Sequence, residues 1–144
     1  MAVAGSAIAG PIQPSATVVP SNSSPGVRPV SLIIKIRLEL QCGQPGVAPI
    51  TITLPAAEKV PRTIPLTAVR VSGRLPATLS RQGRRITITP AAPSGVTCDV
   101  IAPGTITIRI SKTANFGNPD RPGNYRIAID RQTLHLQANL AIHT

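Results

Sequence analysis

Side chains that could carry acid–base or nucleophilic chemistry are few in this sequence. The acids are Glu39, Glu58, Asp99, Asp120 and Asp130, and the histidines are His135 and His143. No GxSxG, HExxH, P-loop or GxGxxG motif occurs, and neither cysteine has a histidine nearby in the chain. Because catalysis needs converging groups of suitable pKa, the sequence predicts a protein that is not an enzyme and has no cofactor.

The stretch FGNPDRPGNY, residues 116–125, offers hard oxygen ligands of the kind that calcium prefers. Asn118, Asp120 and Asn124 could supply them, but only one of the three is a carboxylate. Two consecutive turns account for every residue of the stretch, with Asn-Pro-Asp suited to a type I turn and Pro-Gly to a type II turn. We therefore predict a corner of the fold and no metal site.

Positive charge is the strongest compositional signal. Fifteen Lys and Arg residues against five acids give a formal charge of +10, which would attract nucleic acid, an anionic cell-wall polymer or lipid headgroups. A polyanion-binding hairpin is predicted at Arg74, Arg81, Arg84 and Arg85. No stacking aromatic residue accompanies these arginines, which disfavours nucleic acid. A merely solvated basic hairpin fits the same pattern and stays open as an alternative.

The two cysteines, Cys42 and Cys98, match no metal-binding or redox spacing. A disulfide between them would close a long loop and contribute about 4 kcal/mol in the chain-entropy model. This interpretation requires an oxidising compartment, and two buried free thiols remain the alternative.

Alternation with a period of two governs the chain from residue 30 onward. In residues 31–40 the apolar side chains Leu32, Ile34, Ile36, Leu38 and Leu40 share one face, as in a half-buried strand. Further strands are predicted at residues 50–54, 68–72, 77–80, 85–89, 96–100, 105–110, 124–130 and 133–142, with hairpins at SRQGRR and DRQ. Short strands at this spacing are typical of an all-β, Ig-like antiparallel sandwich.

Residues 1–29 have a different composition, rich in Pro, Ser and Ala with one charged side chain. We predict that they form an extended arm, separate from a sandwich domain of residues 30–144. Two short apolar pieces of this arm could add a strand to the sheet of a neighbouring copy: Ala7, Ile8 and Ala9, and then Ala16, Thr17, Val18 and Val19. No apolar run reaches the 18 residues of a membrane span, and no complete signal peptide is present.

The order of segments from ITITLP through VRVSGRLPATLSRQGRRITITP to FGNPDRPGNYRIAI resembles an Ig-like β-sandwich repeat of secreted bacterial surface proteins. The resemblance spans about residues 50–129, and Asn118-Pro119, Pro122-Gly123 and Tyr125 are its most specific part. It implies structural work on the cell surface.

Two functions are expected from these observations. The first is a subunit of an extracellular or cell-surface assembly, a filament or pilus of identical copies joined head to tail by strand donation from the arm. The alternative is a secreted binding module that attaches to an anionic cell-wall polymer through the basic hairpin.

Overall fold

A computed structural model describes residues 13–41, 46–92 and 100–143. Nine strands and two single turns of 3-10 helix make up this part of the chain. The helical turns are Leu66–Ala68 and Lys112–Ala114. The strands are β1 (Ser15–Pro20), β2 (Leu32–Gln41), β3 (Ile50–Thr53), β4 (Val69–Val71), β5 (Thr78–Gln82), β6 (Arg85–Thr89), β7 (Ile101–Ile110), β8 (Gly123–Arg131) and β9 (Leu134–Ile142).

The strands form two antiparallel sheets that pack as a sandwich. One sheet has the order β1-β2-β7-β4 and the other the order β5-β6-β3-β8-β9. The prediction of an all-β antiparallel sandwich is therefore confirmed, as are both predicted hairpins, β5–β6 and β8–β9. The strand predicted at residues 96–100 lies, except for Val100, outside the described residues, and Val100 itself belongs to no strand.

The core between the sheets is aliphatic. Alternate residues of β2 and β7 face inward in matched register, with Leu32 opposite Ile110 and Ile34 opposite Ile108. Burying one such side chain contributes about 1.5–3 kcal/mol, so a run of them fixes the register of the strand. Phe116 fills the core at the end of the sandwich where β7 ends, and its side chain is fully buried.

The predicted arm contributes a strand to the chain's own sheet. β1 pairs antiparallel with β2 from Ser15 opposite Arg37 to Pro20 opposite Leu32, and the side chain of Val18 joins the core. The sandwich thus begins at or before Ser15 and not at residue 30. The reason is the apolar alternation of Ala16, Val18 and Pro20, which completes the inner face of the first sheet.

Candidate functional site

The stretch that offered calcium ligands is a structural corner at the end of the sandwich where β3 and β7 end and β8 begins. We call this end, which carries the ion pair of Lys59 with Asp120, the charged end. Asn118 is fully buried, and its side-chain amide donates to the carbonyl oxygens of Asn22 at 2.7 Å and Ser24 at 2.9 Å. These bonds fasten the β1–β2 connection to the β7–β8 connection. The stretch is therefore a corner, as predicted.

The other two calcium candidates are engaged elsewhere. Asp120 forms an ion pair with Lys59, with 2.6 Å between Nζ and Oδ1. Asn124 accepts a hydrogen bond from Asn139 across the β8–β9 pair at 3.3 Å. Within the described ranges, no three His, Cys, Asp or Glu side chains are grouped closely enough to hold a metal ion. Asn118, Asp120 and Asn124 thus each interact with a different part of the fold.

Glu58 is a buried acid that the sequence did not reveal. Lys59 and Gly117 exchange two backbone hydrogen bonds of 2.9 Å, so Glu58 and Asn118 are the next pair in that antiparallel register. Glu58 is only 5% exposed. Both carboxyl oxygens of Glu58 and the amide oxygen of Asn118 are buried without a hydrogen-bond partner. Burial raises the pKa of Glu58 from 4.5 to about 7.

The four arginines of the predicted polyanion site are not brought together on one surface. Arg74 lies in the β4–β5 connection, whereas Arg84 and Arg85 lie beyond the opposite end of β5, which is five residues or roughly 15 Å long. Arg81 is half-buried on the same face of β5 as Leu79, and its guanidinium donates to the carbonyl of Arg62 at 3.4 Å. The alternation of β5 therefore turns Arg81 away from Arg85.

Arg84 and Arg85 are the pair that the hairpin does bring together. With Thr53 and Gln82 they line a shallow pocket of about 200 Å³. Arg84 also donates to the carbonyl of Leu54 at 3.0 Å, so this side chain supports the corner after β3. The hairpin offers two cations to a ligand instead of the four predicted.

An ionisable pair lies on the outer face of the second sheet. His135 Nδ1 and Asp130 Oδ1 are 2.6 Å apart, at directly opposite positions of β8 and β9. The His135 side chain is 74% exposed. The neighbour of Asp130 on the other side is Thr51, whose hydroxyl lies 3.4 Å from that of Thr87.

The opposite end of the sandwich exposes several large apolar side chains, with Arg131 of the β8–β9 hairpin beside Gly46 as a charged neighbour. Val47, Val100 and Ile101 are 54%, 63% and 67% exposed, and they are half of the large apolar side chains that are exposed in the described chain. Residues 46–49, 90–92 and 100–103, which lie at this end, contain no charged side chain. We call Val47, Val100 and Ile101 together the apolar end. The uncharged segments GVAP, PAA and VIAP are the feature of the sequence from which these exposed apolar residues could have been predicted.

The remaining predicted site residues divide into two groups. Ala16, Thr17, Val18 and Val19 lie in β1, paired with β2 of the same chain. Ala7, Ile8 and Ala9, and the cysteines Cys42 and Cys98, lie outside the described residues. Strand donation and the disulfide thus stay predictions. Among the described residues, no helix is long and apolar enough to cross a membrane.

Comparison with known proteins gives a structural likeness. The chain is similar to the crystal structure of BslA, a bacterial hydrophobin, with a TM-score of 0.56 and 12% sequence identity. The similarity covers 91% of this chain and 98% of the other. No protein-family model and no curated protein matches the chain. The likeness therefore shows the fold, and the resemblance to Ig-like surface repeats stays a prediction.

Proposed function

We propose that this protein is a non-catalytic, extracellular structural protein that assembles at apolar interfaces through its apolar end. The observation that carries the proposal is the concentration of exposed large apolar side chains at one end of the sandwich. Val47, Val100 and Ile101 are exposed at one end, and the ion pair of Lys59 with Asp120 lies at the other. A protein that exposes more large apolar side chains at one end than at the other orients at an interface, because that end gains most by leaving water.

The size of the effect follows from the exposed area. Each of the three residues is between half and two-thirds exposed, so its transfer out of water contributes about 1–2 kcal/mol, or roughly 3–6 kcal/mol for the three together. The hydrophobin with the similar fold supports this proposal as a protein of related architecture. The sequence also supports the proposal, because the chain resembles repeats of secreted bacterial surface proteins and a secreted location is therefore expected.

The test replaces the apolar end and compares it with an equal change elsewhere. In a pendant-drop experiment at an oil–water interface, the wild type should lower the interfacial tension and form an elastic film. The variant V47S/V100S/I101S should adsorb more slowly and form no elastic film. The control V19S/L66S/L75S changes three apolar side chains that are also exposed but lie elsewhere, and it should behave like the wild type. Equal films from all three proteins would refute the proposal.

Strand donation is the more detailed assembly mode that the sequence predicts. In the structure β1 pairs with β2 of its own chain, so donation would exchange β1 between copies and preserve the same contacts. The variant T17C/K35C tests this, because the two positions are directly opposite in the register and a disulfide between them would hold β1 on its own chain. If oxidation of this variant leaves assemblies unchanged in sedimentation and electron microscopy, assembly does not use β1 donation.

The anionic-polymer alternative is supported less well at the predicted hairpin. Only Arg84 and Arg85 share a surface there, and one of them also supports the backbone.

A further inference from the structure

The outer face of the first sheet carries a group of cations that no pattern in the sequence brought together. On β2 the outward side chains include Lys35 and Arg37, on β7 Arg109, and on β4 Arg70; all four are exposed. Arg70 is directly opposite Arg109. Arg109 is opposite Ile33, the neighbour of Lys35 two positions along the same face of β2. We call these four residues the cationic stripe.

The register of the sheet places the stripe on a diagonal. Arg70 and Arg109 are directly opposite each other on neighbouring strands. Lys35 lies on the next strand, two residues along from the position opposite Arg109, and Arg37 lies two residues further along that strand. Neighbouring strands are about 4.8 Å apart, and residues two positions apart on one strand are about 6.8 Å apart. The α-carbons of successive stripe residues are therefore roughly 5–8 Å apart, and the whole stripe is roughly 17 Å long. The four cations thus form a single row across the outer face of the first sheet.

In the described part of the chain, no acidic side chain pairs with these four cations. None of the four side chains forms an ion pair or hydrogen bond within residues 13–41, 46–92 and 100–143. The acidic residue on the described part of this face is Glu39. It lies two residues after Arg37 on β2, just beyond the end of the stripe. Like charges directly opposite on neighbouring strands, such as Arg70 and Arg109, destabilise a sheet. A bound anion would remove that cost.

The side chains around the stripe indicate which anion fits. Thr17 and Thr107 flank Lys35 on the two neighbouring strands, and Thr105 is opposite Arg37, so hydroxyl donors border the cations. No aromatic side chain lies on the described part of this face, so a base would find nothing to stack on. A bilayer fits this surface less well, because membrane binding needs a broad apolar face. Here a narrow row of charges has Val19 beside it as the exposed large apolar side chain.

We propose that the cationic stripe of Lys35, Arg37, Arg70 and Arg109 binds a linear phosphodiester polymer without bases, laid diagonally across the first sheet. Each cation contacts one phosphate, and the threonine hydroxyls donate hydrogen bonds to phosphate oxygens. The site differs from the predicted hairpin, which lies on the second sheet. It does not depend on the apolar end.

The test measures binding of a fluorescein-labelled poly(glycerol phosphate) oligomer of about ten repeats by fluorescence anisotropy at several salt concentrations. Four phosphate contacts on a flexible polymer predict a slope of log K against log salt of roughly −3, which is about fifty-fold weaker binding at 200 mM than at 50 mM salt. The variant K35Q/R37Q/R109Q retains one cation of the stripe. Its slope should fall to roughly −0.7, which is about threefold over the same range.

The matched control is R85Q/R121Q/R126Q, which removes the same positive charge from exposed sites away from this face. It should bind with nearly the wild-type slope, and circular dichroism should be the same for all three proteins. The proposal is overturned if the control loses as much slope as the stripe variant, since net charge alone would then explain binding. Failure of the wild type to bind the oligomer overturns it as well.

Two further probes distinguish other partners. An oligo(dT) of equal charge should bind the wild type no more tightly than poly(glycerol phosphate), because the stripe contacts phosphates and offers no aromatic side chain for a base to stack on. Tighter binding of oligo(dT) by tenfold or more would assign the face to nucleic acid and refute the proposal. Vesicles of one-third phosphatidylglycerol should not compete at equal phosphate concentration, and displacement of the oligomer by the vesicles would assign the face to a membrane.

Discussion

Replacing Glu58 with glutamine should change how the stability of the protein depends on pH. The carboxyl group of Glu58 is buried, and burial raises its pKa from 4.5 to about 7. Between these two values the folded protein holds a proton on Glu58 that the unfolded chain releases. The folded state then binds more protons than the unfolded state, so the free energy of unfolding falls as the pH rises through this window.

The magnitude follows from the two pKa values. A difference of one pH unit corresponds to about 1.4 kcal/mol, so the full difference between 4.5 and about 7 gives up to about 3 kcal/mol. This stability is present below pH 4.5 and is lost once the pH has passed about 7. Glutamine keeps the shape of the protonated acid and does not ionise, so E58Q should lack this loss.

The assay is guanidinium unfolding at pH 5 and pH 8 for the wild type, E58Q and the control E39Q. Glu39 is exposed on the outer face of β2, so E39Q should keep the pH dependence of the wild type. At pH 8 E58Q should be more stable than the wild type by about 2–3 kcal/mol. The reasoning is refuted if E58Q and the wild type lose the same stability between pH 5 and pH 8.

Three further substitutions test the charged end. N118A leaves two carbonyl oxygens without their donor and should cost about 2–3 kcal/mol in urea unfolding, whereas N139A, at an exposed site, should cost under about 0.5 kcal/mol. F116A opens a cavity in the core and should cost about 3–5 kcal/mol, seen as a lower Tm. G117A would place a Cβ 3.0 Å from the Cβ of Lys59 and should cost about 1–3 kcal/mol; an unchanged Tm would contradict that close approach.

The strands could be predicted because their signal is local. Alternation in β2, β6 and β9 needs no knowledge of partners, since one face of each strand is buried and the other is not. Strand order required long-range pairing that no single segment contains, such as β1 beside β2 and β7 beside β4. For that reason the sequence assigned residues 15–20 to an arm.

The sites were predicted less well than the strands, for two physical reasons. Arg81 was grouped with Arg85 by proximity in the chain, although the alternation TLSRQ already indicated that Arg81 shares a face with Leu79. Glu58 lies in a Pro- and Ala-rich connection that reads as exposed, and its burial depends on the pairing of Lys59 with Gly117 from a distant segment. The cationic stripe required knowledge that β4, β7 and β2 are neighbours.

The position of β1 has a consequence for proteolysis and aggregation. β9 is an edge strand of nine residues, LHLQANLAI, without Pro, Lys, Arg, Asp or Glu, so it lacks the features that normally prevent edge-to-edge aggregation. β1 packs against β9, and beyond β1 the backbone N–H of His143 donates to the carbonyl of Ser23 at 3.0 Å. A protease that removed β1 would uncover this edge and part of the core together. Trimmed protein should therefore precipitate as β-rich aggregates, and a soluble shortened chain must retain Ser15.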